Sequence, residues 1–141
     1  FEAGTVNTHG IAALGAGLDY VSGIGVGKMQ EIHTELWRYF TANARKINGI
    51  TVYGPEDTGG GMINTGVVSL NVIGHEPGEV SMLLGKEGIC TRAGYHCAPL
   101  AHKALRTDAL GGTVRFSFSH LNTKEEIDTT LYTLKKLFAL S

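Results

Sequence analysis

The stretch Thr91-Arg92-Ala93-Gly94-Tyr95-His96-Cys97-Ala98-Pro99 places a guanidinium, an imidazole and a thiol within a few residues of one another. A cysteine does nucleophilic chemistry as its thiolate, which forms where positive charge or the N-terminus of a helix surrounds the sulfur. Pro99 suits the first position of a helix, because its missing N–H would be unpaired there. The run Pro99 to Leu105 continues as that helix, which puts Cys97 just ahead of a helix N-terminus. Cys97 is the candidate nucleophile, in an exposed loop; the plain alternative is a small buried apolar residue. His96 is a candidate for lowering the Cys97 pKa, although neighbours in an extended segment point to opposite faces. Arg115 is the second candidate. It shares a strand face with Thr113 and Ser117, and its planar fork can grip a carboxylate at two points. Arg92 carries the same chemistry, and for both the alternative is a solvated surface arginine. Cys90, His96, Cys97 and His102 are a further set that could hold zinc, but their spacing fits no common finger or ribbon pattern.

These residues need a scaffold, and the chain is long enough to supply one. Its 141 residues are the size of an ordinary single domain. At 43% apolar and 18% charged it reads as globular. A net charge of −1 without long runs of one sign argues against nucleic-acid or polybasic membrane binding. Two cysteines are too few for a disulfide framework, and no signal peptide or bilayer-length apolar run is seen. A cytoplasmic location is the expectation. The chain opens at Phe1 without a start methionine and reads as a segment of a longer protein.

Apolar spacing predicts a helix over residues 7–21, capped by Asn7 or Thr8, with Ile11, Leu14, Leu18 and Val21 on one face. Gly10, Ala13 and Gly17 beside that face predict close passage of another backbone. Ser22 to Lys28 is glycine-rich, yet it lacks the glycine, hydroxyl and preceding strand of a phosphate loop. It reads as a turn between helices. A second helix follows over residues 26–46, with Met29, Ile32, Leu36, Phe40 and Ile47 on its buried stripe and Trp37 beside it. Strands are expected at Ile50–Tyr53, Gly66–Ile73, Ile89–Arg92 and Thr113–Phe118. Cys90, on the third of these, is assigned to the core. The Asp57–Gly61 loop with its three glycines is a turn or an anion cradle. Further helices are expected at residues 77–86 and from Thr123, where Thr123 and Glu126 make a capping box. The fold class is α+β, one domain over residues 1–141, with a small, mostly antiparallel sheet packed by helices.

Three stretches in this order carry a resemblance: Arg92 to Pro99, Gly112-Thr113-Val114-Arg115-Phe116-Ser117, and Asn122 to Asp128. Together they closely resemble the C-terminal part of the cysteine desulfurases, the SufS-like and selenocysteine-lyase-like branch of the class V aminotransferases. Phe1 to Thr5 and Gly10 to Tyr20 resemble the segment leading into that region. The resemblance implies the small C-terminal domain of a fold-type I transferase that uses pyridoxal 5′-phosphate (PLP) and works as a homodimer. Residues 1–22 would then be the lead-in from a large domain. It implies removal of sulfur from L-cysteine, or selenium from L-selenocysteine, to give L-alanine, with a persulfide on Cys97 that a sulfur-acceptor protein collects for iron–sulfur or other sulfur chemistry. By the same resemblance Arg115 binds the substrate carboxylate, and Thr5 reaches the phosphate of the partner subunit's cofactor. Arg92 and His96 lie in the matching loop. None of the seven lysines sits in a motif matching the family's Schiff-base lysine, so this chain alone is expected neither to hold PLP covalently nor to turn over cysteine. The competing readings are a non-catalytic packing or dimerising module of the same fold, and a thiol or zinc protein.

Overall fold

The computed structural model describes residues 4–56 and 65–141; the Asp57–Gly61 loop lies outside them. Two helices come first, α1 (Thr8–Ile24) and α2 (Val26–Ala44). The strands β1 (Ile50–Tyr53) and β2 (Val67–Val72) follow, then α3 (Pro77–Lys86), β3 (Arg92–Gly94), α4 (Pro99–Ala104), a 3₁₀ turn at Asp108–Leu110, β4 (Thr113–Ser117) and α5 (Lys124–Phe138). The four strands form one sheet in the order β1-β2-β4-β3, antiparallel throughout. This is the expected α+β architecture.

Period-two alternation splits the sheet into two faces. Val68, Leu70, Val72, Val114 and Phe116 point to the core, where they meet Leu36, Trp37, Phe40 and Ala44 of α2, Val80 and Leu84 of α3, and Ile127, Leu131, Leu134 and Phe138 of α5. Phe40 is fully buried, its ring 5.0 Å from that of Phe116 and 5.2 Å from that of Phe118. The opposite face carries Thr51, Tyr53, Ser69, Asn71, Arg92, Thr113, Arg115 and Ser117, a polar row in which Asn71 and Thr113 are buried. Three of its polar atoms, Asn71 Oδ1, Thr113 Oγ1 and Arg115 Nε, are buried without a hydrogen-bond partner.

Local signals set the element ends. Asn7 caps α1 by accepting from the Gly10 N–H at 3.0 Å. Gly25, at φ +88°, breaks the chain between α1 and α2, which meet at 72°. The Thr123 hydroxyl and the Glu126 carboxylate each accept the other's backbone N–H, closing the predicted capping box of α5. No single helix among the described residues is long and apolar enough to cross a membrane.

Three expectations are corrected. The third strand starts at Arg92, not Ile89, because α3 ends in a Schellman closure: Ile89 N–H donates to Leu84 O and Gly88 N–H to Gly85 O, with Gly88 at φ +79°. That closure holds residues 87–89 out of the sheet and leaves Cys90 exposed instead of in the core. In α1, no residue is buried, and Ile11, Leu14 and Leu18 are each more than half exposed. Among the described residues no other backbone passes Gly10 or Gly17: a Cβ added at Gly17 would meet nothing within 4 Å, and at Gly10 only Asn7. Helical periodicity there marks an apolar face that stays exposed among the described residues.

Candidate active site

The register between β3 and β4 sets Arg92 directly opposite Arg115. Residues facing each other across an antiparallel pair project to the same side, with Cβ atoms about 4.5–5.5 Å apart. Like charges so placed repel unless an anion lies between them. Among the described residues neither guanidinium has a carboxylate partner. Arg92 is exposed and Arg115 half-buried, and Ser69 lies opposite Arg115 on its other side. The planar forks of such a pair have the geometry that grips a carboxylate.

Cys97 follows three residues after β3 and is exposed, as expected of a reactive thiol. The segment is not extended. His96 and Cys97 stand at φ +49° and +61°, the two central residues of a turn closed by Ala98 N–H donating to Tyr95 O at 2.8 Å. This corrects the view that the two side chains lie on opposite sides of a straight segment. Left-handed backbone at a residue with a Cβ is costly, about 1–2 kcal/mol, and gathers at functional sites. His96 is half-buried and donates from Nε2 to the carbonyl of Thr113, 3.1 Å away on β4. Burial lowers its pKa below the usual value; the bond to Thr113 opposes this, and the charges of Arg115, His102 and Arg92 act in the same direction as burial. Its surroundings thus disfavour the imidazolium form of His96.

Strand pairing is held close by glycine. A Cβ at Gly112, φ +99°, would lie 2.3 Å from the carbonyl oxygen of Gly94. Because Gly112 lacks a Cβ, the end of β3 can lie beside it, where Gly94 pairs with Thr113 and Arg92 with Arg115.

The structure brings Arg92, Arg115 and His96 together, with Cys97 next to His96 in the exposed turn beyond β3. Thr5 stands apart, exposed ahead of α1, which packs against α2. The zinc set is not assembled. His102 is buried and bonded through Nδ1 to the Thr107 hydroxyl at 2.7 Å. Cys90 borders a separate groove with Glu87, Asn122 and Glu125. Among the described residues no three His, Cys, Asp or Glu side chains gather as for a metal ion. The four strands carry neither lysine nor carboxylate, so an amine for PLP's aldehyde does not come from them. Ser69 was missed by sequence reading; its signal is its cross-strand position beside Arg115.

Known proteins share this arrangement of elements. An apo cysteine desulfurase from Thermococcus onnurineus NA1 superposes with a TM-score of 0.85 at 35% identity, over 99% of this chain and 33% of that one. The cysteine desulfurase CsdA from Escherichia coli does so at 0.78 and 25% identity, over 100% of this chain and 33% of that one. In sequence, a probable cysteine desulfurase of Methanothermobacter thermautotrophicus is 37% identical over 139 residues, covering 97% of this chain and 33% of the relative. The chain spans about a third of the length of the relatives it matches. The family described as Aminotransferase class-V matches residues 1–130. With sheet, helices and sequence all agreeing over nearly its whole length, this chain belongs to the class-V aminotransferases.

Proposed function

We propose that this chain is the C-terminal part of a PLP-dependent cysteine desulfurase, and that it carries the sulfur-accepting thiol and the carboxylate clamp. The observation that supports the reading is the Arg92–Arg115 pair, without a carboxylate partner among the described residues, on the strands whose adjoining turn displays Cys97. The homologues and structural neighbours are cysteine desulfurases, and their function gives the chemistry its class.

In this reading the carboxylate of L-cysteine docks on the forks of Arg115 and Arg92. Holding the substrate there turns an encounter of two sulfurs into a positioned reaction. Cys97 acts as its thiolate. Its sulfur attacks the substrate's sulfur, an S–S bond forms, and the substrate's carbon–sulfur bond breaks with the electron pair left on carbon. That carbon takes a proton, giving L-alanine, and the persulfide stays on Cys97. PLP, when bound, supplies the electron sink that makes the carbon–sulfur bond labile. The lysine that would hold it belongs to another part of the protein, so this chain alone turns over no cysteine. Residues 1–22 form the lead-in from that part, and the exposed apolar face of α1 packs against it. The whole protein is a cytoplasmic homodimer in which Thr5 reaches the partner's cofactor phosphate, and the persulfide passes to a sulfur-acceptor protein. L-selenocysteine fits the same clamp.

The test is alanine release from L-cysteine by the whole reading frame loaded with PLP. Wild type forms alanine and persulfide, Cys97→Ala loses both, and Arg115→Ala raises KM. Alanine release that survives the loss of Cys97 would place the chemistry elsewhere.

A further inference from the structure

The turn that displays Cys97 has a backbone its residues resist. Tyr95-His96-Cys97-Ala98 has positive φ at both central positions, the sign pattern of a type I′ turn, which favours Gly, Asn and Asp there. His96 and Cys97 are none of these, and such conformations persist only where the surroundings over-determine them. Two anchors do so here. On one side Tyr95 donates its hydroxyl to Asp108 O at 3.0 Å and sets its ring edge-on to His102, 5.3 Å away, itself fixed by Thr107. On the other side His96 reaches β4, where Thr113 O accepts from its Nε2 at 3.1 Å. A carbonyl can only accept, so the proton of the neutral ring resides on Nε2 and Nδ1 keeps its lone pair. Thr113 pairs with Gly94 at the end of β3, so this bond ties the turn to the same strand pair that carries the two arginines.

We propose that His96 is a positioning residue: as the Nε2–H tautomer it clamps the left-handed turn to β4 and so fixes the direction in which the exposed Cys97 sulfur is displayed from the strands that carry the arginine pair. The role rests on the desulfurase reading for its catalytic meaning, while the clamp itself is independent of it. It is distinct from electrostatic activation, in which an imidazolium would stabilise the thiolate.

Three measurements test it. In ¹⁵N-resolved NMR of the wild-type chain at pH 7, the His96 proton is on Nε2; a proton on Nδ1, or on both nitrogens, overturns the clamp. The pH profile of iodoacetamide alkylation at Cys97 superimposes for wild type, His96→Gln and His96→Ala; a displaced profile makes His96 a charge partner and overturns the positioning role. In the whole protein loaded with PLP, His96→Ala slows single-turnover persulfide formation by about tenfold or more, with KM for L-cysteine little changed. His96→Gln, whose amide N–H can still donate to Thr113, recovers most of that rate. A glutamine variant no better than alanine overturns the proposal. A wild-type protein that forms no persulfide would sink the desulfurase reading, and the NMR and alkylation results would still judge the clamp.

Discussion

Replacing Cys97 with glycine should stabilise the fold while removing the thiol. The residue stands at φ +61°, with its neighbour His96 at +49°. For a residue with a Cβ this backbone costs about 1–2 kcal/mol, and glycine escapes that cost. Glycine in turn loses more freedom on folding, by about 0.5–1 kcal/mol relative to alanine. The difference leaves a net gain of roughly 0.5–1 kcal/mol for Cys97→Gly over Cys97→Ala. Alanine is the right reference because it also lacks sulfur but keeps the Cβ that the backbone resists. The side chain is exposed, so its loss leaves no cavity. For a chain of this size such a gain corresponds to a rise in Tm of about 2–4 °C. The assay is paired thermal and urea unfolding of the two variants in one buffer, followed by circular dichroism. A glycine variant no more stable than the alanine variant would mean that the turn is not strained in the way its dihedrals imply, and would remove the reason for a clamp.

Other substitutions test the scaffold around the turn. Gly112→Ala drives a Cβ into Gly94 O at a positive φ, and should cost about 2–3 kcal/mol in urea unfolding while separating Arg92 from Arg115. Removing the α5 cap with Thr123→Ala should cost about 1 kcal/mol, read as a lower urea midpoint at unchanged m-value. The lowered pKa of His96 gives a signed pH effect: below the ordinary value of 6.5 the unfolded chain binds the proton that the folded chain refuses, so stability falls as pH drops from there and is level above it. His96→Gln should flatten that fall, measured as the difference between the two proteins' stability against pH. Finally, Phe40→Ala should cost about 3–5 kcal/mol, since the ring is fully buried between Phe116 and Phe118.

The parts of this structure that could be read in the sequence are those fixed by neighbouring residues. Val114, Phe116 and the polar residues between them announce a strand with one buried face, and Thr123 with Glu126 announces a helix start; both are found. Pro77 and Lys86 bound α3 as expected. The parts that could not be read depend on distant residues or on unusual backbone. Nothing local says that Arg92 meets Arg115, because the register is set by the whole β3–β4 ladder and by Gly94 meeting Gly112. His and Cys are not the residues that signal a left-handed turn, so the Cys97 segment reads as extended until its Tyr95–Ala98 bond is seen. Cys90 is an apolar neighbour of Ile89 in sequence, yet the closure of α3 spends those residues before the sheet begins. The periodicity of α1 is a true helix signal that names a face without naming what it meets.

The β3–β4 pairing has one more consequence, for how such a chain can change over time. Gly94 and Thr113 face each other, so the segment between them is a closed excursion whose two ends touch. The candidate site residues lie at its neck, on Arg92, Arg115 and the first turn beyond Gly94, while α4 and the 3₁₀ turn form its outer arc. Lengthening such an arc is cheap in entropy, about 0.6 kcal/mol per doubling, and leaves the neck in place. The exposed positions of this arc, such as Leu100 and Leu110, are thus where new surface chemistry can accumulate, while His102, Thr107 and Asp108 must stay in place because they anchor Tyr95 and with it the turn. One residue added between Arg92 and Gly94 would turn the guanidinium to the other side of the sheet.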